Sequence, residues 1–183
     1  MATGIVTWLN QYWGMRRAML RQIATAQGLS FIHVEIIEYL GNCNRYSNTM
    51  LAVAEFFGQT KGSVSQSIAW LEKHAYIVRE PDKSDKRIQR LILTPKGQVV
   101  LEKVHDLLPE CDAVAPNLES ELRSLLLAWR AKADLNGFGI CGTCHYNACE
   151  APGEYRCKLT GEALHEKEVR QICREHTLPR AVV

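Results

Sequence analysis

Lys61 to Gly97 reads KGSVSQSIAWLEKHAYIVREPDKSDKRIQRLILTPKG, and its changes of pattern set the architecture around it. At its start Val64, Ile68 and Leu71 recur at helical spacing, while Lys61, Ser63, Ser65, Gln66 and Ser67 keep the opposite side small and polar. Ile77 and Val78 then begin a strand, Asp82 to Lys86 supply turn residues, and Ile88, Leu91 and Leu93 predict a returning strand. Thr94 as N-cap and Pro95 at the first helical position start a further helix. Immediately upstream, SNTMLAVAEFFGQ predicts a short helix with Leu51, Val53, Ala54 and Phe57 inward, and Gly58-Gln59-Thr60 a tight turn. Two short helices joined across a glycine-containing turn form a helix-turn-helix, and the hairpin behind them forms a wing.

This layout points to DNA. Small polar residues let a helix approach phosphates and bases closely, and the Gln66 amide suits an adenine edge. From Arg79 to Arg90 five basic residues stand against three acidic ones, placed where a wing meets backbone or minor groove. The formal net charge of the whole chain is only +2, so the attraction must come from this local clustering.

The run FIHVEIIEYL, followed by TMLAVAEFFGQTKGSVSQSIAWLEKHAYIVREPDKSDKRIQRLILTPKG, resembles the MarR family of winged helix-turn-helix regulators over about residues 29–108. The resemblance implies a homodimer whose end helices interlock and whose recognition helices enter successive major grooves of a pseudo-palindromic operator in double-stranded DNA. It implies that Ser63, Ser65, Gln66 and Ser67 face bases and that Thr60 and Lys61 hold phosphates. Lys83, Lys86 and Arg87 would then serve the wing. This wing carries lysine at several positions where the family has arginine, which keeps charge but loses the forked donor geometry.

The expected fold class is mainly α with a small β-hairpin wing. Residues 1–28 form an N-terminal dimerisation helix, 29–94 the winged helix-turn-helix, 95–137 C-terminal dimerisation helices, and 138–183 a small Cys-rich module. Within the first segment Ile5, Leu9, Trp13, Met19, Leu20 and Ile23 follow helical spacing, and LSFIHVEIIEYLGN predicts a helix behind Ser30 with Ile32, Ile36, Ile37 and Leu40 on one face. LESELRSLLLAWRAKADL predicts another, ending near Asn136-Gly137 after a break in PECDAVAPN. Trp8, Tyr12, Trp13 and Tyr39 offer an apolar lining for a small aromatic effector between the dimer helices and the DNA-binding lobe. No segment approaches the ~20 apolar residues of a membrane span, and the start lacks a secretory layout, so a cytoplasmic location is expected.

CGTCHYNACEAPGEYRC, Cys141 to Cys157, holds four of the seven cysteines, and Cys173 follows; Cys43 and Cys111 lie apart. In a reducing compartment such clustering points to metal or redox chemistry rather than to structural disulfides. Cys141, Cys144, Cys157 and Cys173 form the expected ligand set, with Cys149 as a spare thiol and His145, His165 and His176 as alternative ligands. The order CxxC…C…C, including CKLTGE after the third cysteine, resembles that of high-potential iron–sulfur proteins, and some MarR-like regulators carry a similar extension. Isolated cysteines in the second half depart from the paired knuckles of structural zinc. An iron–sulfur cluster and zinc both remain open, with metal-free redox thiols as a third possibility. Cys173 falls in the polar stretch HEKEVRQICREHT, which reads as helix. The CxxC follows a helix rather than opening one, which disfavours a thiol oxidoreductase, and no enzymatic activity is expected. The metal would either act as a sensor, acting through the adjoining dimer helix, or simply staple a tail too poor in apolar residues for its own core.

Overall fold

The computed structural model describes residues 4–107, 115, 117–133 and 137–178. Cys111, most of the expected break at 109–117 and the helix-ending Asn136 lie outside the described residues.

Helix α1 (Gly4–Ala26) leads through a turn at Gly28 into α2 (Phe31–Asn42). Helix α2 is the centre of the core: it packs against α1, against α4 (Lys61–Lys73), against α5 (Pro95–His105) and against strand β2 (Gln89–Leu93). That crowding buries Val34 and Tyr39 together with the expected Ile36, Ile37 and Leu40, and leaves Ile32 half-buried. At Gly41 the approach of α2 to α5 is so close that a Cβ would overlap the Leu101 side chain.

Helix α3 (Met50–Phe57) starts at Thr49, whose hydroxyl accepts from the Ala52 N–H at 3.2 Å, and stops at Gly58 in the left-handed region. Thr60 caps α4 in the same way, accepting from Ser63 N–H at 3.3 Å. Val64, Ile68 and Leu71 are fully buried beneath α4, as the helical spacing requires. Strand β1 (Ile77–Pro81) pairs antiparallel with β2, Ile77 opposite Leu93, and Ile88 lies just before the second strand.

LTPKG acquires a physical meaning here. The Thr94 hydroxyl accepts from Gly97 N–H and donates to the Ala75 carbonyl at 2.6 Å, tying the start of α5 to the end of α4. Gly97 is buried with no room beside it, since a Cβ would overlap the Tyr76 carbonyl oxygen.

Helix α6 (Leu118–Ala133) precedes the C-terminal module. There β3 (Gly139–Ile140) leads into a 3-10 turn at Cys141–Thr143 and pairs antiparallel with β7 (Ile172–Cys173). Strands β4 (Asn147–Ala151), β5 (Glu154–Cys157) and β6 (Ala163–Leu164) form a second small sheet. The stretch around Cys173 is helical only over α7 (Glu166–Val169), and Cys173 itself sits on a strand. Pairing with Gly139–Ile140 prevails there over local helix propensity. The module's own core is small: Cys141, Leu164 and Cys173, with Tyr155 and Val169 packed against them.

The module is seated on the loop between α2 and α3. Asn44 N–H donates to the Ile172 carbonyl at 2.9 Å, and Arg174 N–H donates to the Ser47 hydroxyl at 2.8 Å. Arg174 also forms a two-pronged ion pair with Glu55 of α3, and Arg45 donates to the Ala163 carbonyl at 2.6 Å.

Gly97→Ala forces carbon onto backbone oxygen, which cannot rotate away as a side chain can. The variant is expected to lose about 2 kcal/mol of stability in urea denaturation, whereas Gly4→Ala at an exposed position changes stability by less than about 0.5 kcal/mol.

Candidate functional site

The outer side of α4 presents Lys61, Ser63 and Gln66 to solvent, with Ser65 and Ser67 half-exposed. Thr60 and Ser63 hydroxyls lie 3.0 Å apart, and Ser67 donates to the Ser63 carbonyl at 3.2 Å, so these three serve the helix itself as well as facing outward. Behind α4, Trp70 is held between two imidazoles: His33 of α2 stacks at 4.3 Å and His74 at 3.8 Å. This sandwich fixes the helix against α2, and nothing in the spacing of its residues announces it.

The wing tip is organised by Asp82. Its carboxylate accepts from the Ser84 hydroxyl, from the Ser84 and Asp85 N–H groups and from Arg90 Nε at 2.8 Å. Those donors, the Ser84 hydroxyl first, hold its pKa far below the ordinary carboxylate range. Arg90 is therefore turned inward, reaching Asn48 as well, while Lys83, Lys86 and Arg87 stand exposed. Arg87 pairs with Asp85 at 2.7 Å yet leaves 90% of its side chain accessible.

Across from the wing lie the cysteines. Cys141, Cys144, Cys157 and Cys173 all line one cavity of about 560 Å³, whose other wall is formed by Arg87, Arg90 and Leu91. Two of the sulfurs receive N–H donors: Asn147 Nδ2 to Cys141 at 3.6 Å and Thr177 N–H to Cys144 at 3.4 Å. Donors aimed at sulfur suit thiolate ligands, whose negative charge needs them. The remaining described cysteines behave oppositely. Cys43 and Cys149 donate, to the Leu40 and Ala151 carbonyls, as protonated thiols do. Burial pushes the Cys141 thiol up to about 11 and raises that of Cys173, a penalty that a bound cation would offset.

Asn44 was not legible as a site residue. Its Oδ1 accepts from Ser47 Oγ at 2.8 Å and Tyr46 N–H at 3.2 Å, which turns Nδ2 toward Cys173. That nitrogen is buried, lines the cavity and is otherwise without a hydrogen-bond partner. Four sulfurs, donors directed at them and a buried amide aimed among them fit a thiolate-ligated group. Among the described residues, no three Cys, His, Asp or Glu side chains are placed together so as to hold a metal ion. Of the alternative ligands, His145 and His165 are exposed; His176 is buried instead, packed over Gly139 with Nε2 at 2.9 Å from Thr143 Oγ1.

Comparison with known proteins bears on the first half of this site. Residues 29–97 match the family of winged helix DNA-binding domains. The winged helix assignment covers α2 through the start of α5 and stops short of the cysteines. No curated protein matches the chain. Among solved structures, CouR from Rhodococcus jostii RHA1 bound to p-coumaroyl-CoA is similar at TM-score 0.52 and 19% identity, covering 67% of this chain and 91% of that one. The transcriptional regulator BldR from Sulfolobus solfataricus gives 0.51 and 23%, covering 69% and 92%. A MepR mutant from S. aureus gives 0.54 and 16%, covering 73% and 99%. At these identities the likeness establishes the fold alone, a winged helix with flanking helices.

A carboxylate held at a lowered pKa contributes stability above its unfolded value and loses it as pH falls through the folded one. The Ser84 and Asp85 amide resonances are therefore expected to stay unchanged from pH 8 through about pH 4, where a free aspartate titrates, and to shift only at lower pH.

Proposed function

We propose that this chain is a sequence-specific, homodimeric DNA-binding transcription regulator whose C-terminal cysteines hold a metal or an iron–sulfur cluster. The exposed polar side of α4, backed by a fully buried apolar stripe and flanked by a wing with a basic tip, carries the DNA-binding reading. In it α4 enters the major groove, Gln66 and Ser65 face bases, Lys61 contacts phosphate, and Lys83, Lys86 and Arg87 reach backbone or minor groove. The dimer reading rests on uncovered apolar surface at both ends of the chain. Trp8 is 70% exposed and Ile5 60%, with Tyr12 and Met15 beside them on α1, and Leu126 and Trp129 stand out from α6. A second copy that interlocks these helices removes them from water. At the cysteine site Cys141, Cys144, Cys157 and Cys173 are the ligands, and a bound metal supplies the folding free energy that so small a core lacks.

A second effector site is supported by a cavity of about 700 Å³ between α1, α2 and α3. Trp13 and Tyr39 line it with Phe31 and Phe57; Tyr12 lies elsewhere, and Trp8 stands exposed on α1. Arg17 lines it too, with a buried Nε that has no hydrogen-bond partner. A small aromatic anion fits that combination. The CouR structure, bound to p-coumaroyl-CoA, is an aromatic acyl thioester complex of a similar fold.

DNA recognition is tested by selecting genomic fragments with the purified protein and measuring affinity by fluorescence anisotropy across a salt series. Lys61→Ala is expected to weaken binding to all sequences and to reduce the salt slope by about 1, while Gln66→Ala relaxes selectivity at particular base pairs. Failure to retain any DNA fragment in preference to bulk DNA at physiological salt would refute this reading.

Metal analysis of the purified chain separates the cysteines by role. Cys141→Ser or Cys157→Ser is expected to abolish bound metal, and Cys149→Ser to leave it intact, because Cys149 is exposed and bonded to Ala151.

A further inference from the structure

Trp70 of α4 is held between His33 and His74, and neither imidazole is accounted for by DNA contact or by the cysteines. The two rings differ in what they do with a proton. His74 ends α4 with its Nδ1 2.8 Å from the Trp70 carbonyl oxygen. A carbonyl oxygen only accepts, so this nitrogen carries hydrogen, and the bond survives when the ring is charged. His33 has the opposite duty. Its Nδ1 accepts from the Ser30 N–H at 3.4 Å, in the first turn of α2, where a Glu or Gln commonly reaches back to the cap. That nitrogen must therefore be bare. A protonated ring loses the bond and sets N–H against N–H.

Burial separates the two further. His74 is exposed, whereas His33 is only 8% accessible beneath Trp70. The charges around the stack give a His33 cation no relief. From α5, Lys96 donates to the His74 carbonyl at 3.0 Å and sits 4.1 Å from the centroid of the Tyr76 ring, which itself lies nearly parallel to Trp70. From α1, Arg17 and Arg21 lie over Phe31 at the start of α2. On α4, Lys73 is exposed and Glu72 is taken by Arg79 at 3.0 Å. On α2, Glu35 belongs to the separate cavity that Arg16 and Arg17 line. Among the described residues every ion pair joins a carboxylate to an arginine, so neither imidazole has an acidic partner. Burial first, and then the charge of His74, lower the His33 pKa from the ordinary imidazole value.

We propose that His33 is a proton-operated latch between α2 and α4. Neutral, it caps α2 and packs flat on Trp70; protonated, it leaves the stack, frees α4, and lowers affinity for DNA. The direction follows from linkage. A base whose pKa is depressed in the packed state takes up its proton more readily once released. The packed form therefore holds its full advantage above about pH 6.5 and loses it as pH falls below that value. Ordinary electrostatics predict the reverse, because protonating exposed histidines adds positive charge and tightens binding to phosphate. The sign of the pH dependence separates the two. Since α4 carries Lys61 and Gln66, the DNA arm of the test rests on the DNA-binding reading above.

Full-length wild-type protein and His33→Gln are compared from about pH 8 to about pH 5.5 at constant ionic strength. The readouts are fluorescence anisotropy on a selected DNA fragment and protection of the α4 amides against hydrogen exchange. Glutamine keeps the acceptor that the first turn of α2 requires and does not titrate. Wild-type affinity is expected to fall about tenfold over this range, with lower protection in α4, whereas His33→Gln changes by less than about twofold in both. A wild-type affinity that is flat or rises on acidification overturns the proposal. So does an equal fall in both proteins, the pattern expected if acid acts at the cysteines instead. If His33→Gln does not fold, the His33 ring is titrated by NMR in wild-type protein. Protection of α4 that falls with the ring's own titration supports the latch, and protection unchanged across it refutes it. A wild-type protein that binds no DNA at about pH 8 counts against the regulator reading, and α4 protection alone then decides the latch.

Discussion

The hydrogen bond from Asn44 N–H to the Ile172 carbonyl, 2.9 Å long, joins two parts of the chain that otherwise fold on different principles. On one side is a helical core large enough to stand on apolar burial, with α2 buried nearly all round. On the other is a module of short strands whose buried residues are mostly cysteines. Helix α2 ends where this bond begins, and α3 starts a few residues later, so the loop cannot move without disturbing one of them. Its buried Asn44, Ser47 and Asn48 spend their polar groups on one another, on α2, on β2 and on β7 with the adjoining Arg174, which leaves the loop little freedom of its own.

Charge is distributed with the same economy of position. Arg90, Arg45 and Arg174 are taken up by internal partners: Asp82 in the wing, Glu168 in the module and Glu55 in α3. Arg87, Lys83 and Lys86 are left at the tip, and Lys61 at the start of α4. In a chain whose formal net charge is only +2, exposed basic groups thus stand at the wing tip and at the start of α4. The cysteines line a cavity whose opposite wall includes Arg87 and Arg90 of that same wing.

The module also changes what the cysteines can mean. A metal bound at the end of α6 would act on the helices expected to form the dimer. The cavity instead opens toward β2, and the contacts of the module run to the α2–α3 loop and α3. Helix α6 meets the module through a separate apolar patch in which Leu122 and Leu126 approach Phe138 and Ile172. Both routes exist, and the hydrogen-bonded one leads to the wing.

Periodicity alone made the DNA-binding lobe legible. Val64, Ile68 and Leu71 can share one buried face only in a helix, and Thr94-Pro95 can only begin one, because these patterns are enforced within a few residues by backbone geometry. Cysteine spacing likewise picked out the four cysteines that line one cavity. What local pattern could not supply was anything fixed by distant partners. Cys173 lies on a strand because Gly139–Ile140 pairs with it, and His176 is buried because Gly139 leaves room for its ring. Asn44 lines the cysteine cavity, with its oxygen claimed by Ser47 and Tyr46. The sequence by itself determined which segments are helix and wing. Only the tertiary structure decided how the cysteines are arranged and where their module sits, since that depends on contacts such as Thr177 N–H to Cys144, 33 positions apart, and Arg174 N–H to Ser47, 127 apart.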